Sequence, residues 1–373
     1  MKRLFIIVNE DRFFLSHRKE IAVTAKENGY DVTIVAKDTG RRGDVEALGL
    51  RMVELPINPT GKNIFQDLRS LLFLVNLYRK EKPTIVHHVG LKNILWGGLA
   101  AKLMRVPAVV SAVSGLGVIF SQEKSSVMAG MILKVLRFSH HRKNIAVIFQ
   151  NSEDRTLFKR KKIVNERQMY FTKGSGCNLN DFDYTPDPDG EKINVIFTAR
   201  MVREKGVVTL VEAAEKLRAE YQDKVEFWLC GGLSNNPRAL SEDDLNYMCD
   251  GNYIKWLGHR NDVRDLLKKA NIVAFPSYYR EGVPKSLIEA SAVGRPIVTT
   301  NSIGCKDVVE DGENGFLIEI KDSNMLAMRL KELFDDKELR VAMGRKSREF
   351  AERDFSVENV VKTHLEIYKK LGG

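Results

Sequence analysis

The chain has 373 residues, 43% of them hydrophobic and 8% aromatic, and it carries a formal net charge of +10. Because this length exceeds one ordinary hydrophobic core, we expect two domains with a ligand-binding crevice between them. No stretch reaches the roughly 18 apolar residues that a transmembrane helix needs, so the composition predicts a soluble or peripheral protein.

Short β-branched runs alternate with helical stretches along the first half of the chain. The predicted strands are Leu4–Val8, Val32–Ala36, Met52–Leu55, Ile85–Val89, Ala108–Val113 and Val147–Phe149. This alternation predicts a parallel sheet covered by helices on both faces. The first run is too short for the core of a signal peptide, which favours a strand at that position.

A second α/β half follows the polar segment Asn178–Lys192, whose Asp, Asn and Pro content is typical of a linker. Its predicted strands are Val195–Thr198, Val225–Cys230, Ile254–Leu257, Ile272–Phe275, Ile297–Thr300 and Gly315–Ile318. Helices follow from about Asn324, and we expect the last, Val357–Leu371, to return to the first domain. The predicted divisions are an N-terminal domain over 1–177, a linker over 178–192, a C-terminal domain over 193–355 and a returning helix over 356–373.

The positive charge is concentrated in the first half of the chain. Residues 1–180 hold 30 Lys and Arg against 15 Asp and Glu, whereas residues 181–373 hold 29 against 34. From Lys92 to Lys143, eight basic residues and one acid, Glu123, alternate with apolar residues. This pattern favours binding to an anionic membrane surface, with a nucleic acid or a simply solvated face as alternatives. No nucleic-acid motif accompanies the charge, so we expect no nucleic-acid partner.

The four cysteines, Cys177, Cys230, Cys249 and Cys305, include no closely spaced pair. This spacing indicates neither a zinc site nor a disulfide framework. It is typical of a protein in the reducing cytoplasm.

A helix start near residue 284 offers a phosphate site. Pro284 suits the first turn of a helix, where its missing N–H costs nothing. The free amides of Lys285, Ser286 and Leu287 would then lie at the positive end of the helix dipole. A phosphate group is predicted to bind there.

Two glutamates, Glu281 and Glu289, lie on either side of this helix start. The general preference of acids for helix N-termini is an alternative explanation for Glu281. Glu289 lies more than one turn inside an apolar helix, so its carboxylate needs a partner. Adjacent hydroxyls, such as those of a ribose, would donate to both carboxylate oxygens, and a structural ion pair is the alternative. The run therefore predicts a site for a nucleotide-linked sugar.

Further candidates follow the predicted strands of the second half. Arg200 and Lys205 lie in a turn after the first of these strands, where open α/β sheets bind ligands, and together they suit a diphosphate. This pair would stabilise the charge of a departing nucleotide without a metal. Gly231 and Gly304 also follow strands, where the absence of a side chain permits close approach of a ligand.

The first half contributes candidates for acceptor or sugar contacts. His17 follows the first strand, where a Rossmann dehydrogenase would carry a glycine fingerprint that is missing here. His88 ends another strand and is either a packed residue or a substrate contact, and Lys92 opens the next helix. Gly115 and Gly117 form a loop after a strand, for which a tight turn is the alternative.

These motifs resemble the family-four retaining glycosyltransferases. The likeness covers nearly the whole chain and is strongest through TARMVREKG, WLGHRNDV, FPSYYREGVPKSLIEA and NSIGCKDVVEDGENGF. The resemblance implies the GT-B architecture, in which two Rossmann-like, doubly wound parallel-sheet α/β domains face each other across a cleft. It also implies that Glu281 lies by the donor sugar, Glu289 binds the ribose, and Arg200 and Lys205 hold the diphosphate.

The runs FFLSHR, VHHVGLKN and SAVSGLGVIF are similar to bacterial members that act on polyprenyl-diphosphate-linked saccharides. The resemblance implies a UDP-sugar donor, a lipid-linked acceptor, no cofactor, no metal, and a place on the inner face of the cytoplasmic membrane. The family's common glycine pair is replaced by Asp11–Phe14, and its strand-end histidine pattern is shifted. A nucleotide-sugar epimerase of the same fold is the rival enzyme class, and a basic nucleic-acid-binding module is the rival outside enzymes.

Overall fold

The computed structural model describes residues 1–58, 64–115, 127–234, 238–280 and 282–372. The chain divides into two compact units. The first comprises Met1–Ser175 with Val357–Gly373, and the second comprises Gly176–Ser356.

The first unit is built on a seven-stranded sheet in the order β3-β2-β1-β4-β5-β6-β7, with all neighbours parallel. The strands are β1 (Lys2–Glu10), β2 (Tyr30–Lys37), β3 (Arg51–Glu54), β4 (Ile85–Val89), β5 (Ala108–Val113), β6 (Ile145–Phe149) and β7 (Met169–Phe171). The central strands are buried on both faces, which explains their continuous apolar sequences.

Helices cover both faces of this sheet. They are α1 (Asp11–His17), α2 (Lys19–Glu27), α3 (Arg42–Ala47), α4 (Ile64–Glu81), α5 (Leu91–Leu103), α6 (Val127–His140) and α7 (Ser152–Arg160). Helices α4 to α7 pack on one face, and α5 lies against both α4 and α6. Helices α1 to α3 pack on the other face.

The second unit contains a six-stranded parallel sheet in the order β10-β9-β8-β11-β12-β13. Its strands are β8 (Ile193–Thr198), β9 (Val225–Cys230), β10 (Ile254–Gly258), β11 (Ile272–Phe275), β12 (Ile297–Thr300) and β13 (Gly315–Ile318). The helices are α8 (Val207–Tyr221), α9 (Glu242–Met248), α10 (Val263–Lys269), α11 (Lys285–Val293), α12 (Ser323–Asp335) and α13 (Lys337–Asp354). One continuous hydrophobic core joins the sheet to its helices.

The sequence indicates a linker over 178–192, but this segment belongs to the second unit and is held there by hydrogen bonds and an ion pair. Asp187 forms a buried ion pair of 3.0 Å with Arg340 of α13. Arg295 donates to the Thr185 carbonyl, and Arg348 donates to the Phe182 carbonyl. A hinge function for this segment stays a prediction.

The last helix, α14 (Val357–Gly372), packs against α2 and crosses β4 to β6 of the first unit. Its Tyr368 hydroxyl bonds Nδ1 of His87 at 2.7 Å, and the ring of His364 lies 5.3 Å from that of His87. The buried Arg18 guanidinium interacts electrostatically with His364 and Tyr368 of this cluster. Burial lowers the pKa of Arg18 to about 10 and that of His364 to about 3.

The predicted strands are all present, and the last helix begins at the predicted residue. The sheet of the first unit has one more strand, β7, than the sequence predicts. This strand could not be predicted because it is only three residues long and carries no periodic pattern. Within the described residues, no helix is both long and apolar enough to cross a bilayer.

The buried histidines predict that stability falls with acidification. Because the pKa of His364 is lowered from 6.5 to about 3, the unfolded chain binds one more proton than the folded chain between these values, and stability decreases as pH falls. Removing this titration with H364Q should reduce the slope of unfolding free energy against pH by about 1.4 kcal/mol per pH unit. This slope is measured by urea unfolding at several pH values between about 6 and about 4. The exposed His141 supplies the control H141Q, and equal slopes for both variants would contradict the assignment.

Candidate nucleotide-sugar site

The strand order of the second unit creates a topological switch point between β8 and β11. From β8 the chain proceeds outward to β9 and β10, and from β11 it proceeds the other way to β12 and β13. The loops after β8 and β11 therefore leave the sheet in opposite directions at its carboxyl edge. Ligands of open α/β sheets bind in the crevice between such loops.

The loop after β8 carries both cations that the sequence predicts for a diphosphate. Arg200 is exposed, and its Nη1 lies 3.5 Å from Oγ of Ser234 in the loop after β9. Nζ of Lys205 lies 5.7 Å from the ring centre of Phe275 and 5.6 Å from that of Tyr279. Since both rings belong to the end of β11 and its loop, Lys205 stands at the switch point.

Contacts to backbone carbonyls hold the two loops against each other. The Tyr278 amide donates to the Glu204 carbonyl at 3.0 Å, and Oγ of Ser277 donates to the same oxygen at 3.2 Å. Gly206 has a left-handed φ of +88°, and a Cβ at this position would lie 2.0 Å from the Pro276 carbonyl oxygen. Only glycine therefore permits this approach.

The side chain of Glu204 is part of this arrangement, although the sequence reasoning missed it. It is buried, and its Oε1 accepts a 2.5 Å hydrogen bond from the exposed Arg238. Its Oε2 is buried and has no hydrogen-bond partner within the described residues. The signal available in the sequence was an acid between Arg203 and Lys205 in a predicted binding turn.

Helix α11 begins one residue later than the sequence predicts. Pro284 is its N-cap residue, with an extended backbone, and Lys285 is the first helical residue. The Leu287 amide donates to the Pro284 carbonyl at 3.1 Å. The expectation of a free Leu287 amide is therefore wrong, because the first turn closes on the N-cap carbonyl. Lys285 and Ser286 lie in this turn and are partly exposed.

Glu289 lies one turn further along α11, with its side chain 17% exposed. Its Oε1 is 3.8 Å from Nζ of Lys285, which is too long for a hydrogen bond. Burial raises the pKa of Glu289 despite the nearby Lys285 charge. Burial raises the pKa of the Cys177 thiol to about 12, and the Glu289 charge adds to this increase. Within the part of the chain that the structure describes, the carboxylate is therefore only partly compensated by protein groups.

Hydroxyl groups fix the ends of β11 and β12, a feature the sequence reasoning did not identify. The Ser277 carbonyl accepts from Thr300 Oγ1 and, at 3.0 Å, from Ser302 Oγ. The Thr299 hydroxyl donates to the Phe275 carbonyl at 2.6 Å. The available signal was the group of hydroxyl residues at the end of a predicted strand and just after it. These bonds hold the loop that leads into α11.

The two predicted glycines have structural explanations of their own. A Cβ at Gly231 would lie 1.6 Å from the Ala199 carbonyl oxygen, so packing of the neighbouring strand ends requires glycine. Gly304 adopts φ +89°, and its amide donates to Asp307 at 3.1 Å. Ligand contacts for both glycines stay predictions.

Two predicted site residues, Glu281 and Gly117, lie outside the described residues. Gly115 is described and has a left-handed φ of +103° at the end of β5. His17 ends α1, is partly exposed, and stacks on Phe13 with ring centres 4.2 Å apart. Its Nδ1 lies 2.7 Å from the Ser16 hydroxyl.

The expectation of a sugar contact by His88 is wrong, because its side chain is fully buried. Its Nε2 lies 2.9 Å from the Tyr78 hydroxyl, and a Cβ on Gly97 would overlap the imidazole ring. Burial lowers the pKa of His88 to about 3. Lys92 instead binds Asp67 of α4 and the Asn58 carbonyl, each at 2.9 Å. Its charge is thus engaged by protein groups.

Two family models match the chain. The model for glycosyl transferase 4-like domains matches residues 3–151, and the model for glycosyl transferases group 1 matches residues 183–350. The chain thus belongs to the glycosyltransferases that combine these two domains, and the resemblance stated from its motifs is confirmed.

Relatives along nearly the full chain point to the same class. The chain is 26% identical to the N,N'-diacetylbacillosaminyl-diphospho-undecaprenol alpha-1,3-N-acetylgalactosaminyltransferase of Campylobacter jejuni, over 96% of this chain and 98% of that protein. It is also 26% identical to the UDP-Gal:alpha-D-GlcNAc-diphosphoundecaprenol alpha-1,3-galactosyltransferase of Escherichia coli, over 84% of this chain and 82% of the relative. The protein is a glycosyltransferase.

Solved structures share the fold. The crystal structure of Anabaena Alr3699/HepE in complex with UDP superimposes with a TM-score of 0.79 at 19% identity, covering 99% of this chain and 100% of that one. WaaG, a glycosyltransferase involved in lipopolysaccharide biosynthesis, gives a TM-score of 0.73 at 15% identity, covering 96% of this chain and 99% of that one. The predicted GT-B fold class is confirmed.

The contact between Gly206 and Pro276 predicts a specific loss of nucleotide binding. G206A adds a methyl group to a left-handed residue that has no room for it, so we expect destabilisation by about 2 kcal/mol or more and displacement of the adjacent Lys205. Calorimetric titration with UDP should show weaker binding. Gly251 has a similar φ of +77° with open space around its Cβ position, so G251A is the matched control for backbone strain alone. Equal UDP affinity in both variants would contradict this role of Gly206.

Proposed function

We propose that this glycosyltransferase moves a hexose or N-acetylhexosamine from a UDP-sugar to an undecaprenyl-diphosphate-linked saccharide, with retention at the anomeric carbon. The observation that carries the proposal is the position of Lys205 at the β8/β11 switch point, beside the loop that leads into α11. The printed names of the Campylobacter and Escherichia relatives supply the acceptor class, and the UDP complex of HepE supports the nucleotide.

In this proposal the diphosphate binds between the loop after β8 and the start of α11. Arg200 presents a planar fork of donors and Lys205 a compact charge, and both charges oppose the negative charge that develops on the leaving group. The N-terminal turn of α11 adds the positive end of a helix dipole. These groups supply stabilisation without requiring a metal, and metal independence is part of the proposal.

Glu289 is proposed to hold the ribose. Among the described residues, the cation paired with Glu289 is the Lys285 ammonium at 3.8 Å, and burial disfavours the charged form of the carboxylate. Two ribose hydroxyls would donate one hydrogen bond to each carboxylate oxygen and satisfy the charge. Glu281 is proposed to lie by the donor sugar, as the family resemblance implies.

The transfer step breaks the bond between the anomeric carbon and the leaving diphosphate oxygen and forms a bond from the acceptor hydroxyl to the same carbon. The acceptor proton passes to the diphosphate oxygen on the same face, so UDP departs and configuration is retained. The enzyme contributes placement and a fixed electric field. His17 and Gly115 in the first unit are proposed contacts of the acceptor saccharide.

Because the proposed acceptor is linked to a lipid, the enzyme would act at a membrane surface. We propose that it binds to the cytoplasmic face of the membrane. The excess of basic residues in the first half supports this, since anionic lipids attract such charges. On α5 and α6, Lys102 lies 5.7 Å from the exposed Phe138 ring. Met131 and Phe138 of α6 are 57% and 56% exposed.

Replacing Glu289 tests the ribose assignment. E289A removes two acceptors of charge-assisted hydrogen bonds, so UDP affinity measured by calorimetry should fall roughly 10- to 100-fold. E349A removes an exposed glutamate that pairs with Lys346 in the same unit and should leave the affinity unchanged. Equal affinity of E289A and wild type would remove the assignment.

The same residue predicts a pH dependence. The ribose hydroxyls donate to the charged carboxylate, and burial raises the pKa of Glu289 in the free protein, so protonation competes with binding as pH falls. As the pH falls from neutral towards 4.5, the usual pKa of a glutamate, UDP affinity of the wild type should decrease more steeply than that of E289Q, which has no proton to gain. The comparison cancels the titration of UDP itself, and parallel profiles would contradict the proposal.

Replacing Lys205 tests the diphosphate assignment in turnover. K205A should lower kcat with a UDP-sugar and a lipid-linked acceptor by about 100-fold, because its charge opposes that of the transition state. K346A removes an exposed lysine of the same unit and is the control. Unchanged kcat for K205A would contradict the role. Isomerisation of a UDP-sugar without any acceptor would instead favour a nucleotide-sugar epimerase.

A further inference from the structure

Helix α1 of the first unit is a short helix that buried charged groups hold at both ends. It has seven residues, and its buried residues are Asp11 and Phe14. Because a helix shorter than roughly 12 residues is marginal by itself, its orientation depends on the groups that anchor it. Arg18, directly after the helix, is also buried and donates from Nη1 to the His17 carbonyl at 2.8 Å. Two charged side chains and one aromatic side chain therefore set the direction in which the outer face of α1 points.

The carboxylate of Asp11 is bound by backbone amides of the loop after β2. Its Oδ2 accepts from the amides of Thr39 and Arg41 at 2.8 and 3.0 Å. Its Oδ1 accepts from the Arg12 amide at 2.7 Å and from the Thr39 hydroxyl. Between the two donating amides, Gly40 has a left-handed φ of +92°. Such a turn of converging amides binds anions, and here the bound anion is a side chain of the protein.

These hydrogen bonds require the charged form of Asp11. Burial alone would raise the pKa of Asp11, but the bonds from Thr39, Arg41 and Arg12 outweigh it and lower the pKa. An asparagine would direct an NH2 group at the backbone donors, since an amide side chain has one acceptor oxygen where a carboxylate has two. The carboxylate therefore joins the loop after β1 to the loop after β2.

The outer face of α1 carries a stacked aromatic pair. Phe13 and His17 lie four residues apart and are partly exposed, with ring centres 4.2 Å apart and ring planes at 10°. The Ser16 hydroxyl lies 2.7 Å from Nδ1 of His17 and fixes the orientation of that ring. The pair thus forms a flat aromatic surface on the helix.

This surface lies beside the topological switch point of the first sheet. From β1 the chain proceeds to β2 and β3, whereas from β4 it proceeds the other way to β5, β6 and β7. Helix α1 begins directly after β1, and Asn93 of α5 donates to the Asn9 side chain at 2.8 Å, which joins the ends of β1 and β4. Ligands of open α/β sheets bind at such a place. An aromatic face there suits a sugar ring, whose C–H groups form an apolar surface.

We propose that Phe13 packs against a pyranose ring of the acceptor saccharide and that Asp11 is the residue that positions it. The inference rests on the proposed function, since it specifies how the acceptor is held. Asp11 is a positioning residue, because its carboxylate is buried and acts through α1. It fixes the rotation of the helix and so the direction of the stacked pair. Without it, Phe14 and Arg18 hold α1 and the aromatic face loses its fixed orientation.

Replacing Phe13 tests the sugar contact. The acceptors are the two undecaprenyl-diphosphate-linked saccharides in the names of the Campylobacter and Escherichia relatives, with UDP-hexoses and UDP-N-acetylhexosamines as donors. F13A should raise the acceptor KM by about 5- to 10-fold, because the apolar face is lost. F13Y keeps this face and should stay within about twofold of the wild type. The UDP affinity of both variants, measured by calorimetry, should equal that of the wild type. An unchanged acceptor KM in F13A overturns the contact.

Replacing Asp11 tests the positioning role. D11A and D11N should raise the acceptor KM and leave the UDP affinity unchanged. Sodium formate returns a carboxylate to the amides of Thr39 and Arg41, so it should lower the KM of D11A again and leave that of F13A as it is. An equal concentration of sodium chloride controls for ionic strength. D44N removes an exposed carboxylate that pairs with the Arg41 side chain and is the matched control.

A purely structural role for Asp11 gives a different result. Thermal unfolding would then show reduced stability of D11A, while the folded variant would keep the acceptor KM of the wild type, and this outcome overturns the positioning role. A raised KM that formate fails to lower overturns it as well, because the damage is then not the loss of the anion. If D11A does not fold, D11N, which keeps one acceptor oxygen, takes its place in the KM comparison.

Turnover by the wild type separates this inference from the proposed function. If the wild type glycosylates either acceptor and F13A does so with the same KM, the proposed function stands and the sugar contact is wrong. If the wild type binds UDP but glycosylates neither acceptor with any of the donors, the proposed function fails and this inference fails with it.

Discussion

The candidate site depends on the close approach of two loops at the carboxyl edge of the second sheet. The chain reverses its outward path between β8 and β11, which leaves a crevice at their ends. Gly206 allows the turn after β8 to meet the Pro276 carbonyl, and the Glu204 carbonyl accepts from Tyr278 and Ser277. These contacts set the position of Lys205 relative to the start of α11. The Gly206–Pro276 approach and the Tyr278–Glu204 hydrogen bond join backbone atoms, and the short Ser277 side chain adds one further bond.

The electrostatics of α11 explain why a glutamate inside a packed helix suits a binding role. Burial raises the pKa of Glu289, and the Lys285 ammonium at 3.8 Å compensates its charge only in part. A fully paired structural glutamate would have a hydrogen-bonded cation and a lowered pKa. The sequence left a structural ion pair as an alternative partner for Glu289. That pair, with Lys285, is present but long, and hydroxyl donors from a ligand would satisfy the remaining hydrogen-bonding capacity of the carboxylate. A buried carboxylate with a raised pKa and an incompletely paired charge is typical of binding sites, where the ligand supplies the missing hydrogen bonds.

The sequence predicted the fold well because both sheets are parallel and their central strands are buried on both faces, so these strands are mainly apolar runs rich in β-branched residues. It could not predict β7, which is too short to show a pattern. It identified Arg200 and Lys205 from their place after a strand, but a strand-end position does not reveal side-chain direction, and His88 proved to point into the core.

The central claim is that a nucleotide binds at the β8/β11 switch point, and a crystal structure of the protein soaked with UDP tests it most directly. The account predicts the diphosphate within hydrogen-bond distance of Arg200 and Lys205 at the first turn of α11, with the ribose hydroxyls on the Glu289 carboxylate. UDP bound at any other place, with Glu289 still in contact only with Lys285 and other protein groups, would contradict it.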